Sequence, residues 1–309
     1  MIRRLMLLPH IKVHNANALS SPFTIGFPAM TAWLGAVHAL QRKLTITELQ
    51  TVTFSGVAVI SHNVELQTKI GQDDFVQSIV VPKRPPSTQK ELTDFNAGSS
   101  PSFVEEARCH LEISLLIEYT GISRDDEEAL IGKITHHLNA SMKIAGGDIL
   151  CFEKPTLYRI EEGNDNELRK LIRRLMPGYA IIERRELMIE AMEQGQDTME
   201  ALLDYLAVHH RCEKDDHGNV TWTSQRKTSG WIVPIATGFH GITELGQTRN
   251  QRDPDTPHRF AESVVTLGEF RMPHRIHSLD EILWCYHTDL ERNLYLCQQT
   301  IQSNLTYKD

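Results

Sequence analysis

Leu5 to Leu44 reads LMLLPHIKVHNANALSSPFTIGFPAMTAWLGAVHALQRKL, and it passes from one kind of periodicity to another within forty residues. From Leu5 to Val13 apolar and polar residues alternate, with Leu5, Leu7, Ile11 and Val13 set against His10, Lys12 and His14, which is the pattern of a half-buried strand. Asn15-Ala16-Asn17 and Ser20-Ser21-Pro22 stop it with turn-forming side chains that also carry donors and acceptors. From Pro28 the apolar residues Met30, Trp33, Leu34, Val37, Leu40 and Leu44 recur at helical spacing, and Arg42-Lys43 closes the helix where its dipole favours cations. The unit is therefore strand, loop, helix. It also has an unusual charge: Met1 to Thr47 holds five basic residues, three histidines and no carboxylate.

Outward from this unit, Val52 to Ile60 reads as a β-branched strand. Arg108 to Tyr119 gives the clearest alternation in the chain, with Cys109, Leu111, Ile113, Leu115, Ile117 and Tyr119 on one side. Ser123 is placed to cap a helix carrying Leu130, Ile134, Leu138 and Met142, Gly146-Gly147 to end it, and Asp148 to Ile160 to form another strand. The order β-α-β-β-α-β predicts an α+β protein whose residues 1–160 form a ferredoxin-like, RNA-recognition-motif-like domain. Its second and third strands are separated by a long insertion, residues 64–105, rich in Pro, Ser and Gly and read as a projecting loop. Residues 161–309 are expected to form a helical, hairpin and loop-rich portion packed on it. There, a short helix at 166–176 carries the basic rows Arg169/Arg173 and Lys170/Arg174, another spans 197–210, residues 211–229 form a loop, and Ser278 to Tyr286 forms a last helix.

The totals bound the function. The formal charge is −8, but outside the first 47 residues the balance is 27 Lys+Arg against 40 Asp+Glu, so a polyanion would be drawn to one end of the chain only. Five scattered cysteines without a CxxC argue against a disulfide framework, and no apolar run approaches a membrane span, so the expected place is the cytoplasm. No metal or cofactor is expected. The acidic run 125–128 cannot converge on one ion from adjacent helical positions, and His209, His210, Cys212 and His217 match no common zinc spacing. His10, His14 or His38 could serve as acid or base toward a phosphodiester, yet none stands in a spacing that demands it, so no catalytic residue is named. Arg249, Arg252, Arg259 and Arg275, with His258 and His274, lie in a turn-rich region; guanidinium forks suit phosphates, and solvated surface is the alternative.

Several segments together resemble one family: HNANALSSPFTIGFPAMTAWLGAVHALQRK, EEARCHLEISLLIE, MKIAGGDIL, RRLMPGYAII, SGWIVPI, TRNQRDPDTPHRFAESVVTLGEF, MPHR and LDEILW. In this order they resemble the small subunit that caps the 5′ handle in the type I-F CRISPR surveillance (Csy) complex, in the repeat-associated mysterious protein superfamily. The resemblance implies a non-catalytic RNA-binding protein that pairs with a large subunit and holds the 5′ handle of CRISPR RNA. It would cap a filament of backbone subunits and take part in target-DNA recognition within the assembled complex. It also implies a thumb in the 64–105 insertion. The open sheet face offers His10, Lys12, His14, Arg108 and His110 but no aromatic pair, so polar contacts from loops are expected instead of base stacking. The RNA contacts expected are Asn15, Asn17, Ser20, Ser21, Arg249, Arg252, Arg259, His274 and Arg275, some of which could serve the large-subunit interface. A metal-independent CRISPR-RNA-processing endoribonuclease of the same superfamily and a scaffold that meets only protein are the rival readings.

Overall fold

The computed structural model describes residues 2–72, 75–80, 88–96, 106–161, 163, 165–214 and 220–299. The first half contains β1 (Ile2–Asn17), the small hairpin β2 (Leu19–Ser21) and β3 (Thr24–Ile25), and α1 (Met30–Thr45). Then come β4 (Thr53–Leu66), the hairpin β5 (Thr68–Ile70) and β6 (Gln77–Ile79), α2 (Gln89–Asn96) and β7 (Arg108–Thr120). It closes with α3 (Glu127–Ala140), β8 (Lys143–Ile144), β9 (Gly147–Cys151) and β10 (Thr156–Glu161). The second half runs α4 (Asp165–Arg174), β11 (Tyr179–Glu183), α5 (Arg185–Glu193), α6 (Thr198–Leu206), β12 (His209–Lys214) and β13 (Val220–Gln225). It ends with β14 (Trp231–Gly241), β15 (Ala261–Arg271), two 3-10 turns at Pro273–Arg275 and Leu279–Glu281, β16 (Trp284–Asp289) and β17 (Leu294–Gln299).

In the first half the strands lie in the order β4-β7-β1, with β9 and β10 both paired to the far side of β1 and every pairing antiparallel. The alternation of β1 is not continuous. Its register against β7 shifts between Leu8 and Ile11 and again between Val13 and Ala16, at His10 and Asn15, whose φ angles are 48° and 60°. Pro9 has no N–H to give the ladder, so a bulge at this point costs little and lets the strand change faces. Leu5 and Leu7 therefore do not share a side with Ile11 and Val13 as simple alternation predicts. Met6, Leu8, Ile11, Val13 and Ala16 pack under α1 and α3 with Trp33, Leu34, Val37, Leu130 and Ile134, while Leu5 and Leu7 join a separate cluster on the opposite face.

That second cluster is shared by the two halves of the chain. Leu171 of α4 and Leu175 just after it, with Ile276, Leu279, Ile282 and Leu283, cover Leu5, Leu7, Ile60 and Leu116. The sheet is continuous too: β4 pairs with β16 through Val57 and Trp284, and with β11 through Ile60 and Ser61. Since β16 pairs β17, β17 pairs β14, β14 pairs β15 and β15 pairs β11, six strands close a ring. Trp284 is fully buried in it and donates its indole N–H to the Ile181 carbonyl at 2.9 Å.

Six local expectations are corrected: the helix expected over 197–210 ends at Leu206, with His209 and His210 in β12, and the strand expected from Asp148 to Ile160 is two strands, β9 and β10, that pair with different parts of β1. Residues 278–286 do not form a helix: Ser278 and Glu281 make a capping box, but the turn stops after Leu279–Glu281 because Trp284 is claimed by the ring as β16. Among the described residues of 211–229, most belong to the hairpin β12–β13, whose residues are almost all exposed and so show no apolar period. The N-cap of α3 is Asp126, while Ser123 accepts the Asp126 N–H in the preceding turn. Gly146-Gly147 turns the β8–β9 hairpin, with Ala145 and Gly146 at φ 48° and 75°, and α3 has already ended at Ala140. In the 64–105 insertion, β4 reaches Leu66 and is followed by the β5–β6 hairpin and α2; residues 73–74, 81–87 and 97–105 of that expectation lie outside the described residues.

Candidate nucleic-acid interface

Where α4 and the 276–283 segment stop covering the second face of the sheet, β1, β4 and β7 present polar side chains to one another. His10 stacks on His62 with ring centroids 4.3 Å apart, and His14 on His110 at 4.5 Å. The reversal of β1 at His10 makes the first pairing possible, and the register of β4 against β7 brings His62 beside Ser114. Ser114, almost fully buried, links two groups: its hydroxyl lies 2.7 Å from His62 Nε2 and accepts the His10 backbone N–H at 3.0 Å. The Pro177 carbonyl accepts from His62 Nδ1, so in the neutral ring Nε2 is the acceptor for the Ser114 hydroxyl. Burial depresses the His62 pKa, and the neighbouring His10 adds to it, against the Pro177 carbonyl and the more distant Glu112 and Glu153. His10 in turn sits 2.9 Å from a Glu112 carboxylate oxygen. Lys12, His14, Asn63, His110, Glu112 and Leu150 line a shallow cavity of about 210 Å³ at the other end of this face.

The N-terminal candidates spend most of their polar atoms internally. Asn15 receives Gln67 Nε2 on its side-chain oxygen and gives its backbone N–H to His110. Asn17 both donates to the Leu19 carbonyl and accepts the Leu19 N–H, closing the turn into β2. Ser20 and Ser21 both bond Thr24 Oγ1, and Ser21 is buried. Asn17 and Ser20, with Lys143 and the small residues Ala32, Gly35 and Ala36 of α1, border a groove of about 440 Å³. The basic start of the chain is partly neutralised by distant carboxylates, since Arg3 pairs with both Glu118 and Asp280 at 2.6 Å.

The arginines expected to act together are divided. Arg249 and Arg252 are exposed in the loop between β14 and β15, where the loop's three arginines are matched by Glu244, Asp253 and Asp255. Arg259 is drawn inward: its guanidinium bonds Asn293 in the β16–β17 turn and its stem lies over Gly241. His274 and Arg275 are exposed on the Pro273–Arg275 turn, beyond the opposite end of β15. The eleven residues of that strand separate the two groups by about 33 Å. Among the described residues no side-chain hydrogen bond or ion pair joins either group to Asn15, Asn17, Ser20 or Ser21.

Sequence reasoning named His10, His14 and His110 on the open face but missed His62 and Ser114. The signal was present in VISHN, where the apolar run of β4 gives way to polar residues, but the pairing depends on strand register, which no local pattern encodes. Among the described residues no group of three His, Cys, Asp or Glu is placed to hold a metal ion, and no helix is long and apolar enough to cross a membrane.

Compared with known proteins, residues 6–297 match the family described as CRISPR-associated protein (Cas_Csy2). The chain is similar to CRISPR-associated protein Csy2 of Pseudomonas aeruginosa (strain UCBPP-PA14), with 34% identity over 317 residues, covering 94% of each chain.

Proposed function

This chain belongs to the Csy2 family of CRISPR-associated proteins, and from that premise we propose that it is a non-catalytic RNA-binding subunit of a type I-F CRISPR surveillance complex. In this reading it pairs with the large subunit, holds the 5′ handle of the CRISPR RNA and caps the filament of backbone subunits in the cytoplasm. The observation that carries it is the collinear match over residues 6–297. The β4-β7-β1-β10 order with two helices on one face supports a ferredoxin-like, RNA-recognition-motif-like half, and the β5–β6 and α2 insertion is read as its thumb. Guide pairing would read target DNA, while a subunit of this kind grips the constant end of the RNA through backbone and loop contacts.

The exposed Arg249 and Arg252, with Asn15 and Asn17 at the end of β1 and Ser20 in β2, supply the polar contacts such a role needs. Ser21 and Arg259 serve by holding the β2–β3 hairpin and the β14–β15 loop in shape. The endoribonuclease alternative needs a histidine free to exchange a proton with substrate. Both ring nitrogens of His62 are engaged within the protein, and His10 is held by Glu112. The test is assembly of the complex with Arg249→Ala/Arg252→Ala in this chain: handle RNA should dissociate at least 10-fold faster, from roughly 1.5–3 kcal/mol of lost charge-assisted contacts. Unchanged retention would overturn these contacts. Repeat RNA incubated with the pure protein in chelator should remain intact, and specific cleavage would favour the enzyme.

A further inference from the structure

We propose that the exposed face of α4, joined to the Pro273–Arg275 turn, is a second anionic-ligand surface that grips the phosphate backbone of double-stranded DNA. It goes beyond the RNA seat described above and removes His274 and Arg275 from that seat. The α4 sequence is DNELRKLIRR, and its apolar residues Leu171 and, through the following turn, Leu175 are fully buried against the second face of the sheet. What remains outward is Arg169, Lys170, Arg173 and Arg174, all exposed. They form two rows at i,i+4, each placing like charges about 6 Å apart, an arrangement that destabilises an isolated helix. The Pro273–Arg275 turn packs against α4 and adds His274 and Arg275, also exposed.

Six basic side chains thus share one surface, and none is in an ion pair among the described residues. Three nearby carboxylates whose side chains the structure describes have other partners: on α4 itself, Glu167 accepts the Glu161 N–H at 3.3 Å. Asp280 is bound by Arg3, while Glu281 accepts the N–H groups of His277 and Ser278 and lies 3.8 Å from Arg271. In a chain of net charge −8, a basic patch of this density stands apart from the acidic balance of the rest of the chain and fits a polyanion. The choice of duplex over single strand follows from what the patch lacks. Single-strand sites interleave cations with aromatic rings on which bases stack, and neither α4 nor the 273–275 turn contains Phe, Tyr or Trp. A helix whose later turns present an ammonium and guanidinium forks to solvent can follow a regular row of phosphates without reading a base.

The experiment uses the full chain and a 20-base-pair DNA duplex of arbitrary sequence, with a 20-nucleotide single strand and handle RNA as separate ligands. Neutralising about five phosphates gives a log–log salt slope of about −4.5 for the duplex. The variant Arg169→Ala/Lys170→Ala/Arg173→Ala/Arg174→Ala should weaken duplex binding at least 10-fold and bring the slope to about −1. Arg275→Ala alone should reduce the slope by about one, a change small enough to keep the test independent of any folding defect. Handle-RNA binding should be unaffected by both and should respond instead to Arg249→Ala/Arg252→Ala. Duplex binding that is absent, equal in wild type and variants, or weaker than single-strand binding at this face would overturn the proposal. So would equal loss of handle RNA and duplex in the α4 variant. Failure of the handle-RNA reading alone, with the α4 effect intact, would leave this surface standing.

Discussion

His62 shows how a single side chain records the packing of its surroundings. Its ring is enclosed by His10, Ser114 and the Pro177 carbonyl, and burial lowers its folded-state pKa below the ordinary 6.5. The folded protein therefore binds fewer protons at this site than the unfolded chain, so the stability it contributes is present above pH 6.5 and is lost as pH falls below it. Urea unfolding between pH 7 and 5 should show stability decreasing, and His62→Gln, which keeps a hydrogen-bonding side chain without a proton to gain, should flatten that slope. Parallel curves for the two proteins would remove His62 as the cause. Glu183 presents the opposite case. Burial pushes its carboxyl up to about 7, against the pull of Arg185, whose guanidinium it meets inside the ring of strands. Arg185→Met would leave an acid with no counter-charge there and should cost about 3–5 kcal/mol of unfolding free energy. A cost below 1 kcal/mol would mean the pair is wetter than its burial indicates.

At the level of elements, what the sequence made legible was what each segment could bury. β7 and α1 follow from their periods because each packs one face on the main cluster. β12 and β13 escaped because a hairpin exposed on both sides carries no period to read. The last expected helix was misjudged for a different reason: the Ser278/Glu281 capping box is real, yet a cap fixes where a helix begins and not how far it continues. For the candidate site, the basic rows of α4 could be read directly, whereas the His10–His62 stack required the register of three strands. The capping box of Asp197 and Glu200 on α6 was legible and is formed, so Asp197→Ala should lower stability by about 0.5–2 kcal/mol. Gly238 carries a heavier constraint. A Cβ there would stand 2.1 Å from the Tyr295 carbonyl oxygen, at the point where β14 bulges and meets β17. Gly238→Ala must push those strands apart, and the expected result is faster amide exchange along the β14–β17 pairing than along β1–β7; uniform exchange would show that the ring absorbs the methyl group without opening.

On the scale of the whole molecule, the boundary expected near residue 160 crosses surfaces that the two halves bury together. Leu5, Leu7, Ile60 and Leu116 from the first half lie under Leu171, Leu175, Ile276, Leu279, Ile282 and Leu283 from the second. Removing the second half would expose those four side chains, at roughly 1.5–3 kcal/mol each, or about 6–12 kcal/mol together. That is as large as the entire stability of an ordinary domain. It would also free the edge of β4 where β11 and β16 now pair, leaving unpaired backbone donors and acceptors beside exposed apolar surface. Residues 1–161 expressed alone should therefore show no sharp thermal transition and should aggregate, while co-expression with residues 162–309 should recover a soluble pair. A fragment 1–161 that unfolds cooperatively, with native far-UV and near-UV circular dichroism, would mean that the first half carries a self-sufficient core and that the shared cluster only docks the second half onto it.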